Sequence, residues 1–484
     1  MRTRRDQVQA YRFVTRRIVS ALLSGDPETN DLPMRRLGLA VVGSVIAAAV
    51  VLGGAGAYGQ LTGNAAPLEE NTLVIERETG ATYVFTQGLL HPTLNYASAR
   101  LILNEAQPTV RTMSQASIKD RARGRAVGIV GAPDDVPDRK ALVGLPWSVC
   151  DVPDPADPRR STTRLVINRP LPGGTPLTDR AVLVRTNDAR YLLTGGARLR
   201  VVGDQQALVA LKMAGATPLT VSQQLLNAVP VGPELRKPTI EGDGSASAAV
   251  GDRPAKIGQV YRAAGKYYVL TRQGLVPIKE MTALLLLGGG GQVTDITPDQ
   301  AGQFYVDRRL EPEGLPDELP TLHEVRTGQT VLCVTYRAGA SGQPPVATLE
   351  VFDQLPSALT ASGMAARQTA RDAVRTAESV LLPGGKGVLV QATAGESGKA
   401  AAGATVYLIT PQGVRYPLGT GSGDAKTALG YGDVRPTVVP ASLLSLVPTG
   451  PTLERQYAMA QFDPGAAGST AAPGGAGATP AQGG

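Results

Sequence analysis

The sequence of 484 residues predicts a β-rich α+β protein with a single transmembrane helix near its N-terminus. Three observations lead to this prediction: an uncharged apolar stretch at 37–58, a hairpin unit that recurs four times after it, and one cysteine in each of the two segments between the repeats. We therefore expect an elongated, pseudo-two-fold extracytoplasmic region, in which four small repeats surround a central β domain closed by a disulfide.

Residues 1–36 are predicted to form an amphipathic cytoplasmic helix. Asp6 can cap its start, apolar residues follow at helical spacing, and Gly25-Asp26-Pro27 ends it. One apolar stripe of this helix is expected to dock on partner subunits. Its residues are Tyr11, Val14, Ile18 and Leu22.

Residues 37–58 are predicted to cross the membrane once. At about 1.5 Å per residue this span measures about 33 Å, enough for a hydrocarbon core of about 30 Å. The first 36 residues hold eight arginines and four acidic residues. Positively charged residues that flank a transmembrane helix are usually on its cytoplasmic side, so the N-terminus should be cytoplasmic and residues 60–484 outside. The arginines would then lie beside anionic lipid head groups. A cleaved signal peptide is the alternative, but its apolar and basic regions are shorter.

The repeated unit consists of a strand, a turn, a strand that contains tyrosine and a second turn with glycine. It occupies residues 72–91, 181–203, 258–279 and 387–419. Residues 225–235 recur as 443–453, each with a Val-Pro-x-Gly-Pro motif, and residues 92–103 resemble 277–287. The units therefore pair first with third and second with fourth, which indicates the duplication of a two-unit block.

These patterns divide the extracytoplasmic chain into repeats and central segments. The repeats are assigned to 59–104, 178–256, 257–287 and 386–461, and the central domain to 105–177 and 288–385. Within them, 362–381 is predicted to be a helix and 241–255 a surface loop that joins the two halves. Residues 462–484 are mostly Gly, Ala, Pro and Thr, which predicts a disordered tail.

Cys150 and Cys333 are the two cysteines of the chain, and each lies in an apolar run. Both are on the side of the membrane where disulfides persist. If joined, they close a loop of about 180 residues. Such a bond lowers the entropy of the unfolded chain and would stabilise the folded protein by about 4–5 kcal/mol. Two separate buried thiols are the alternative, but the even count and the compartment favour the bond.

The sequence contains no motif that predicts catalytic, cofactor-binding or metal-binding residues. Its two histidines and two cysteines lack metal-ligand spacing, and His91 precedes a proline, which favours a role in a turn. Residues 393–400 resemble a phosphate-binding loop, but that pattern requires Gly at Thr393, Ser or Thr at Ala400, and a helix directly afterwards. We predict a solvated hairpin turn there. The net charge of +7 lies largely in the N-terminal segment, so no basic face for nucleic acid is expected.

Five motifs in order are similar to one known family. They are RDQVQAYRFVTRRIVSALLSGDPE (5–28) followed by PMRR, LHPTLNYASARL (90–101), GIVGAP (128–133), WSVCD (147–151) and VPVGP (229–233). The chain resembles the EccB family of actinobacterial type VII (ESX) secretion systems. The resemblance covers nearly all of it, apart from the tail and residues 241–255.

The resemblance implies a structural subunit in the inner membrane, with one span and a cytoplasmic N-terminus. Its expected partners are EccC-, EccD- and EccE-like core subunits and the lipid bilayer, in an oligomeric complex. It also implies four repeats, similar to a phage-lysin cell-wall-binding fold, around a central domain closed by a disulfide. Family members are described as ATPases, so ATP is implied by the resemblance alone. Two alternative functions therefore stay open: ATP hydrolysis with Lys399 in a degenerate phosphate loop, and peptidoglycan binding.

Overall fold

Two N-terminal helices precede a region built mainly from short strands. The computed structural model describes residues 4–25, 33–59, 67–154, 156–157, 160–251, 253–340, 343–360, 364–365, 367–372, 374–393, 400 and 403–462. The chain divides into two compact units, of which the first comprises residues up to His91 together with Thr109–Gly124, and the second comprises Pro92–Pro108 and everything from Arg125 onward. Each unit has its own apolar core.

The first unit contains the two long helices and the first sheet. Its elements in chain order are α1 (Arg4–Ser24), α2 (Pro33–Gly59), β1 (Thr72–Glu76), β2 (Thr82–Thr86) and β3 (Leu89–Pro92). After α3 (Tyr96–Leu103), which belongs to the second unit, the first unit resumes with β4 (Val110–Met113) and α4 (Gln115–Ile118). The strand order is β3-β2-β1-β4, and β4 runs parallel to β1.

A central segment and a second sheet of the same kind follow in the second unit. The strands of the central segment are β5 (Trp147–Pro153), β6 (Ser161–Ile167) and β7 (Thr175–Pro176). The next elements are β8 (Arg180–Arg185), β9 (Arg190–Thr194), β10 (Ala197–Arg200), α5 (Asp204–Ala210), β11 (Leu219–Thr220) and α6 (Gln223–Ala228). This sheet has the order β10-β9-β8-β11, so its fourth strand again lies beside its first.

A hairpin and a third such sheet come next. The hairpin is β12 (Ala246–Val250) and β13 (Arg253–Lys256). The sheet and its helices are β14 (Val260–Ala263), β15 (Lys266–Leu270), β16 (Leu275–Ile278), α7 (Glu280–Leu287), β17 (Thr294–Asp295) and α8 (Pro298–Gln303). The turn between β14 and β15 has positive φ at Ala264 and Gly265, the geometry that matches the twist of a two-residue hairpin.

The second central segment and the fourth sheet complete the described chain. The first strand of this segment, β18 (Thr321–Leu322), pairs in parallel with β8 and so adds a fifth strand to the second small sheet. The central elements are β19 (Val331–Arg337), β20 (Val346–Phe352), α9 (Ser357–Thr360), β21 (Met364–Ala365) and β22 (Ser379–Leu381). The last elements are β23 (Val388–Ala392), β24 (Val406–Ile409), β25 (Arg415–Pro417), α10 (Ala425–Ala428), β26 (Thr437–Val439), α11 (Ala441–Leu444) and α12 (Arg455–Ala458).

The four small sheets share one topology. Each places its fourth strand parallel to its first. A parallel neighbour cannot follow through a tight turn, because the chain must first return to the other end of the sheet. The crossovers contain the short helices α3, α5, α7 and α10, which return the chain at each of these points.

The two central segments form one seven-stranded sheet, ordered β21-β22-β6-β5-β19-β20-β7. Alternate residues of its strands face two different apolar clusters, as the period of two in a strand requires. One face includes Trp147, Val149 and Val334, and the other includes Val152 and Phe352. The sheet is therefore covered on both sides.

Cys150 on β5 lies directly opposite Cys333 on β19. The two residues form a disulfide across a sequence separation of 183, with Cα atoms 4.1 Å apart, and neither cysteine is exposed. The structure therefore contains the bond that the sequence favoured over two separate thiols. It also has the β-rich α+β character and the N-terminal apolar helix that the sequence predicted.

The predicted helix at 362–381 is wrong. The described parts of this segment contribute β21 and β22 to the central sheet, and β22 pairs in parallel with β6. Helix propensity distinguishes ordinary residues by only about 0.7 kcal/mol, whereas strand pairing here buries Val380 and Leu381 against the sheet. Tertiary pairing therefore outweighs the local preference.

The predicted surface loop at 241–255 is also wrong, because it contains the hairpin β12–β13. Val250 and Ala255 are buried in a cluster with Tyr261, Leu270 and Leu275. The Ala- and Ser-rich strand carries too weak an apolar alternation to predict this from the sequence. The predicted tail lies outside the described residues, apart from Phe462.

Removal of the disulfide should destabilise the central sheet by about 5 kcal/mol, because it releases a loop of 183 residues in the unfolded chain. The variant is Cys150→Ala/Cys333→Ala in the full chain, solubilised in detergent. Denaturant unfolding can be followed by the fluorescence of Trp147, the one tryptophan of the sequence, which is fully buried in this sheet.

Reductant should shift the wild-type transition to the position of the double variant and leave the variant unchanged. An unaltered midpoint after complete reduction of the wild type would show that the bond does not stabilise the sheet.

Candidate functional site

The apolar part of α2 is fully exposed to its surroundings. Leu37–Tyr58 is the one helix among the described residues that is long and apolar enough to cross a membrane. Its leucine, valine and isoleucine side chains are all more than half exposed. A water-soluble fold would bury such a surface, so this helix is suited to lipid contact.

The predicted docking residues lie on one face of α1. Tyr11, Val14, Ile18 and Leu22 are 75, 53, 53 and 80% exposed. Their spacing of three or four residues keeps them within an arc of about 80°. The structure therefore gathers these side chains into one exposed apolar stripe, which we call the docking stripe. Its occupation by a partner stays a prediction.

The segment that resembles a phosphate-binding loop lies mostly outside the described residues. Lys399 is among residues 394–399, which lie outside the described residues. On either side of them, Thr393 and Ala400 form an antiparallel bridge, and the next described element is the strand β24. A phosphate-binding loop needs a helix there, whose first N–H groups point at the phosphate.

The two histidines occupy separate structural positions. The ring of His91 lies against Gly124, where a Cβ atom would come within 2.2 Å of the ring. His323 is on the second unit, with Nε2 3.4 Å from Oδ1 of Asp353. Within the described ranges, no three His, Cys, Asp or Glu side chains are grouped closely enough to hold a metal ion.

A buried carboxylate on the central sheet was missed in the sequence. Asp151 follows Cys150 on β5 and is only 3% exposed. It accepts hydrogen bonds from the backbone N–H of Ser222 at 2.5 Å and from three hydroxyl groups. Those donors are Ser222 Oγ at 2.8 Å, Thr163 Oγ1 at 2.9 Å and Ser161 Oγ at 3.2 Å.

Two opposing effects act on the pKa of Asp151. Burial raises the pKa, because the ionised form loses its hydration. The hydrogen bonds from Ser222, Thr163 and Ser161 favour the ionised form and offset part of this shift. The signal in the sequence was an acidic residue inside an apolar strand, which cannot be buried without partners.

Arg198 on β10 binds the other end of the helix that Asp151 contacts. Ser222 is the N-cap of α6, while Nη1 of Arg198 donates to the carbonyl oxygen of Leu226 in its last turn, at 2.6 Å. A carboxylate at the start of a helix and a cation at its end both complement the helix dipole. Helix α6 is therefore held between the buried Asp151 and the half-buried Arg198, which come from different sheets.

The fourth sheet contains the equivalent of the Arg198 contact. Arg415 on β25 donates from Nη1 to the carbonyl oxygen of Leu444, the last residue of α11, at 2.7 Å. Burial lowers the pKa of both arginines, and a nearby tyrosine, Tyr191 or Tyr407, raises it in part. The two helices overlap the start of the segments 225–235 and 443–453, which recur in the sequence.

Comparison with known proteins gives a match along almost the entire chain. The family model described as "Type VII secretion system ESX-1, transport TM domain B" matches residues 1–466. The chain is 29% identical to the ESX-3 secretion system ATPase EccB3 of Mycolicibacterium smegmatis, over 95% of this chain and 90% of the relative. It is 28% identical to the ESX-1 secretion system ATPase EccB1 of Mycobacterium tuberculosis, over 95% of each chain.

Solved structures of secretion complexes are also similar. A chain of the intact ESX-5 inner membrane complex has a TM-score of 0.68 at 26% identity, and the match covers 100% of this chain and 98% of that one. The periplasmic assembly of the ESX-5 complex gives 0.66 at 25% identity over 82% of this chain and 98% of that one. The EccB3 dimer from the ESX-3 core complex gives 0.66 at 28% identity, over 81% and 100%.

Asp151→Asn should remove one pH-dependent contribution to stability. Because burial raises the pKa of Asp151 above 3.8, the folded chain holds this proton more tightly than the unfolded chain. The resulting stabilisation is complete below the unfolded pKa and is lost as pH rises through the folded pKa. Relative to wild type, the Asn variant should therefore gain stability as pH rises from the unfolded pKa through the folded pKa of Asp151.

Denaturant unfolding at each pH, followed by Trp147 fluorescence, measures this difference. The control is Asp151→Ala, which also lacks the charge but loses all of the acceptor contacts, so we expect it to be less stable than Asn at every pH by about 1–3 kcal/mol. Parallel pH profiles for wild type and the Asn variant would contradict the assignment.

Proposed function

The chain belongs to the EccB family of type VII (ESX) secretion systems, and we propose that it is a structural, membrane-anchored subunit of the secretion core complex. The observation that carries this proposal is the family match over residues 1–466, which includes both the apolar helix and the β-rich region. The contacts described above support it, because the buried Asp151 and the half-buried Arg198 and Arg415 hold helix ends in place.

The proposed topology is a single pass with the arginine-rich N-terminus in the cytoplasm. Its support is the positive-inside rule, together with a buried disulfide that is suited to an oxidising compartment. The similarity to a periplasmic assembly agrees with an outer location for the β-rich region. Labelling of α1 from the outside of intact cells would overturn this orientation.

We also propose that the four small sheets arose by duplication of a two-sheet block. The shared strand order and the equivalent contacts of Arg198 and Arg415 support this proposal. Peptidoglycan binding by these sheets stays a prediction from the sequence.

The docking stripe of α1 is proposed to bind EccC-, EccD- or EccE-like core subunits. An amphipathic helix that places its apolar face in a groove is a common mode of recognition between proteins. Each large apolar side chain removed from water in this way contributes about 1.5–3 kcal/mol. The similarity to chains of oligomeric secretion complexes supports an assembly in which such a groove exists.

Tyr11→Ala should weaken the association with the core complex about 30-fold or more, if Tyr11 contributes as an interface hot spot of about 2 kcal/mol. The measurement is the amount of the other core subunits that co-purifies with the full-length chain from membranes. Phe13→Ala is a matched control, because Phe13 is an exposed aromatic residue of the same helix, with 62% exposure, on a different face. Equal losses for both variants, or none for Tyr11→Ala, would contradict docking through this stripe.

ATP hydrolysis is a second candidate function, because curated relatives are named ATPases. The only sequence segment that suggests a phosphate site is the one with Lys399, and it lacks the Gly and the Ser or Thr of the pattern. We therefore expect Lys399→Ala to leave any ATP hydrolysis by the purified full-length chain unchanged. Loss of a measurable activity on this substitution would instead favour the enzymatic function. Lys386→Ala provides a control for the removal of a lysine elsewhere.

A further inference from the structure

Helix α1 has a second surface that its docking stripe does not use. The whole helix contains five arginines and a single acidic residue, Asp6, which lies in the first turn. Arg5, Arg12 and Arg16 are separated by seven and four residues, so at 100° per residue they lie within about 40° of one another. All three side chains are exposed. We call these three residues the basic stripe.

The basic stripe and the docking stripe are placed so that both can be occupied. Their centres are about 140° apart around the helix. Val8, which is 53% exposed, lies between the two stripes on the narrower side of the helix surface that separates them. A row of arginines bordered by apolar residues is the pattern of helices that lie at a membrane surface, where the apolar residues enter the head-group region and the arginines bind phosphates.

The chain connection keeps the basic stripe near the membrane. Helix α1 ends at Ser24 and α2 begins at Pro33, so even a fully extended connection spans only about 30 Å. That distance is about the length of α1 itself. The helix therefore samples the membrane surface at a high effective concentration.

We propose that Arg5, Arg12 and Arg16 bind the anionic head groups of the lipid bilayer and hold α1 along the membrane surface. The proposal rests on α2 crossing the bilayer, which is part of the proposed function, but not on the side of the membrane where α1 lies. An acidic protein surface is the competing partner. The tether and the absence of acidic residues from this face of α1 favour the lipid, which needs no matched array of partner groups.

The test uses the full-length chain in lipid nanodiscs, either of phosphatidylcholine alone or with about 30% phosphatidylglycerol. Gln9→Cys, beside the basic stripe, carries a fluorophore whose emission reports the polarity of its surroundings. The native cysteines are joined in the disulfide and do not react. We expect a less polar signal in the anionic discs, which salt reverses.

Three variants separate the contribution of this stripe from that of total charge. Arg5→Gln/Arg12→Gln/Arg16→Gln should weaken binding to the anionic surface on the order of 100-fold. Arg4→Gln/Arg17→Gln removes two charges of α1 from outside the stripe and should have a much smaller effect per charge removed. Arg5→Lys/Arg12→Lys/Arg16→Lys should retain binding, because a lipid surface reads charge rather than guanidinium geometry.

The proposal is overturned if the signal is the same in both types of disc, or if the two sets of glutamine substitutions weaken binding equally per charge removed. It is also overturned if the stripe triple keeps the lipid signal and loses the co-purifying core subunits, since an acidic protein surface would then be the partner. Co-purification of the unmodified chain tests complex membership separately, so a failure of the lipid proposal is distinguishable from a failure of the proposed function.

Discussion

The pairing of β5 with β19 is the constraint on which the central sheet depends. These strands come from segments 183 residues apart, and the disulfide joins them at one register position. A slip by one residue would exchange the two faces of a strand, and both faces of this sheet are buried in apolar clusters. The disulfide therefore does more than close a loop, because it excludes the alternative registers in which Trp147 and Val149 would change sides.

Polar contacts fix the position of helix α6 relative to the central sheet. Asp151 follows Cys150 directly and binds the N-cap of α6, and Arg198 binds the carbonyl end of the same helix. Tyr336 on β19 adds a hydrogen bond from its hydroxyl group to the carbonyl oxygen of Ala228, at 2.7 Å. Buried polar groups without partners are costly, so these contacts allow few alternative positions for the helix. Apolar packing alone would be less selective.

Local patterns in the sequence predicted the features whose cause is local. The apolar helix follows from an uncharged run, and the cysteine pair from its count and compartment. The errors at 362–381 and 241–255 have the opposite origin. The residues of β22 form a strand because they pair with the edge of β6, which is more than 200 residues away in the sequence. The partners of Asp151 are likewise distant, since Ser222 is separated from it by 71 residues. Neither the parallel fourth strands nor this network leaves a periodic signal.

The placement of the charged groups whose pKa values are shifted by burial bears on what kind of protein this is. Catalytic groups with shifted pKa values usually face a cleft in which a substrate can bind. Burial shifts the pKa values of Asp151, Arg198 and Arg415. Asp151 lines a cavity of about 200 Å³. Each of the three side chains also forms a hydrogen bond to the end of a short helix: the carboxylate at the start of α6, and the guanidinium groups at the ends of α6 and α11. Their charges act on helix dipoles and orphan backbone groups, which fixes the position of neighbouring elements. Fixing positions is the task of a subunit that holds an assembly together. The surfaces left for partners are then the exposed ones, and on α1 the two stripes face different directions, so that a protein groove and a lipid surface do not compete for the same side of the helix.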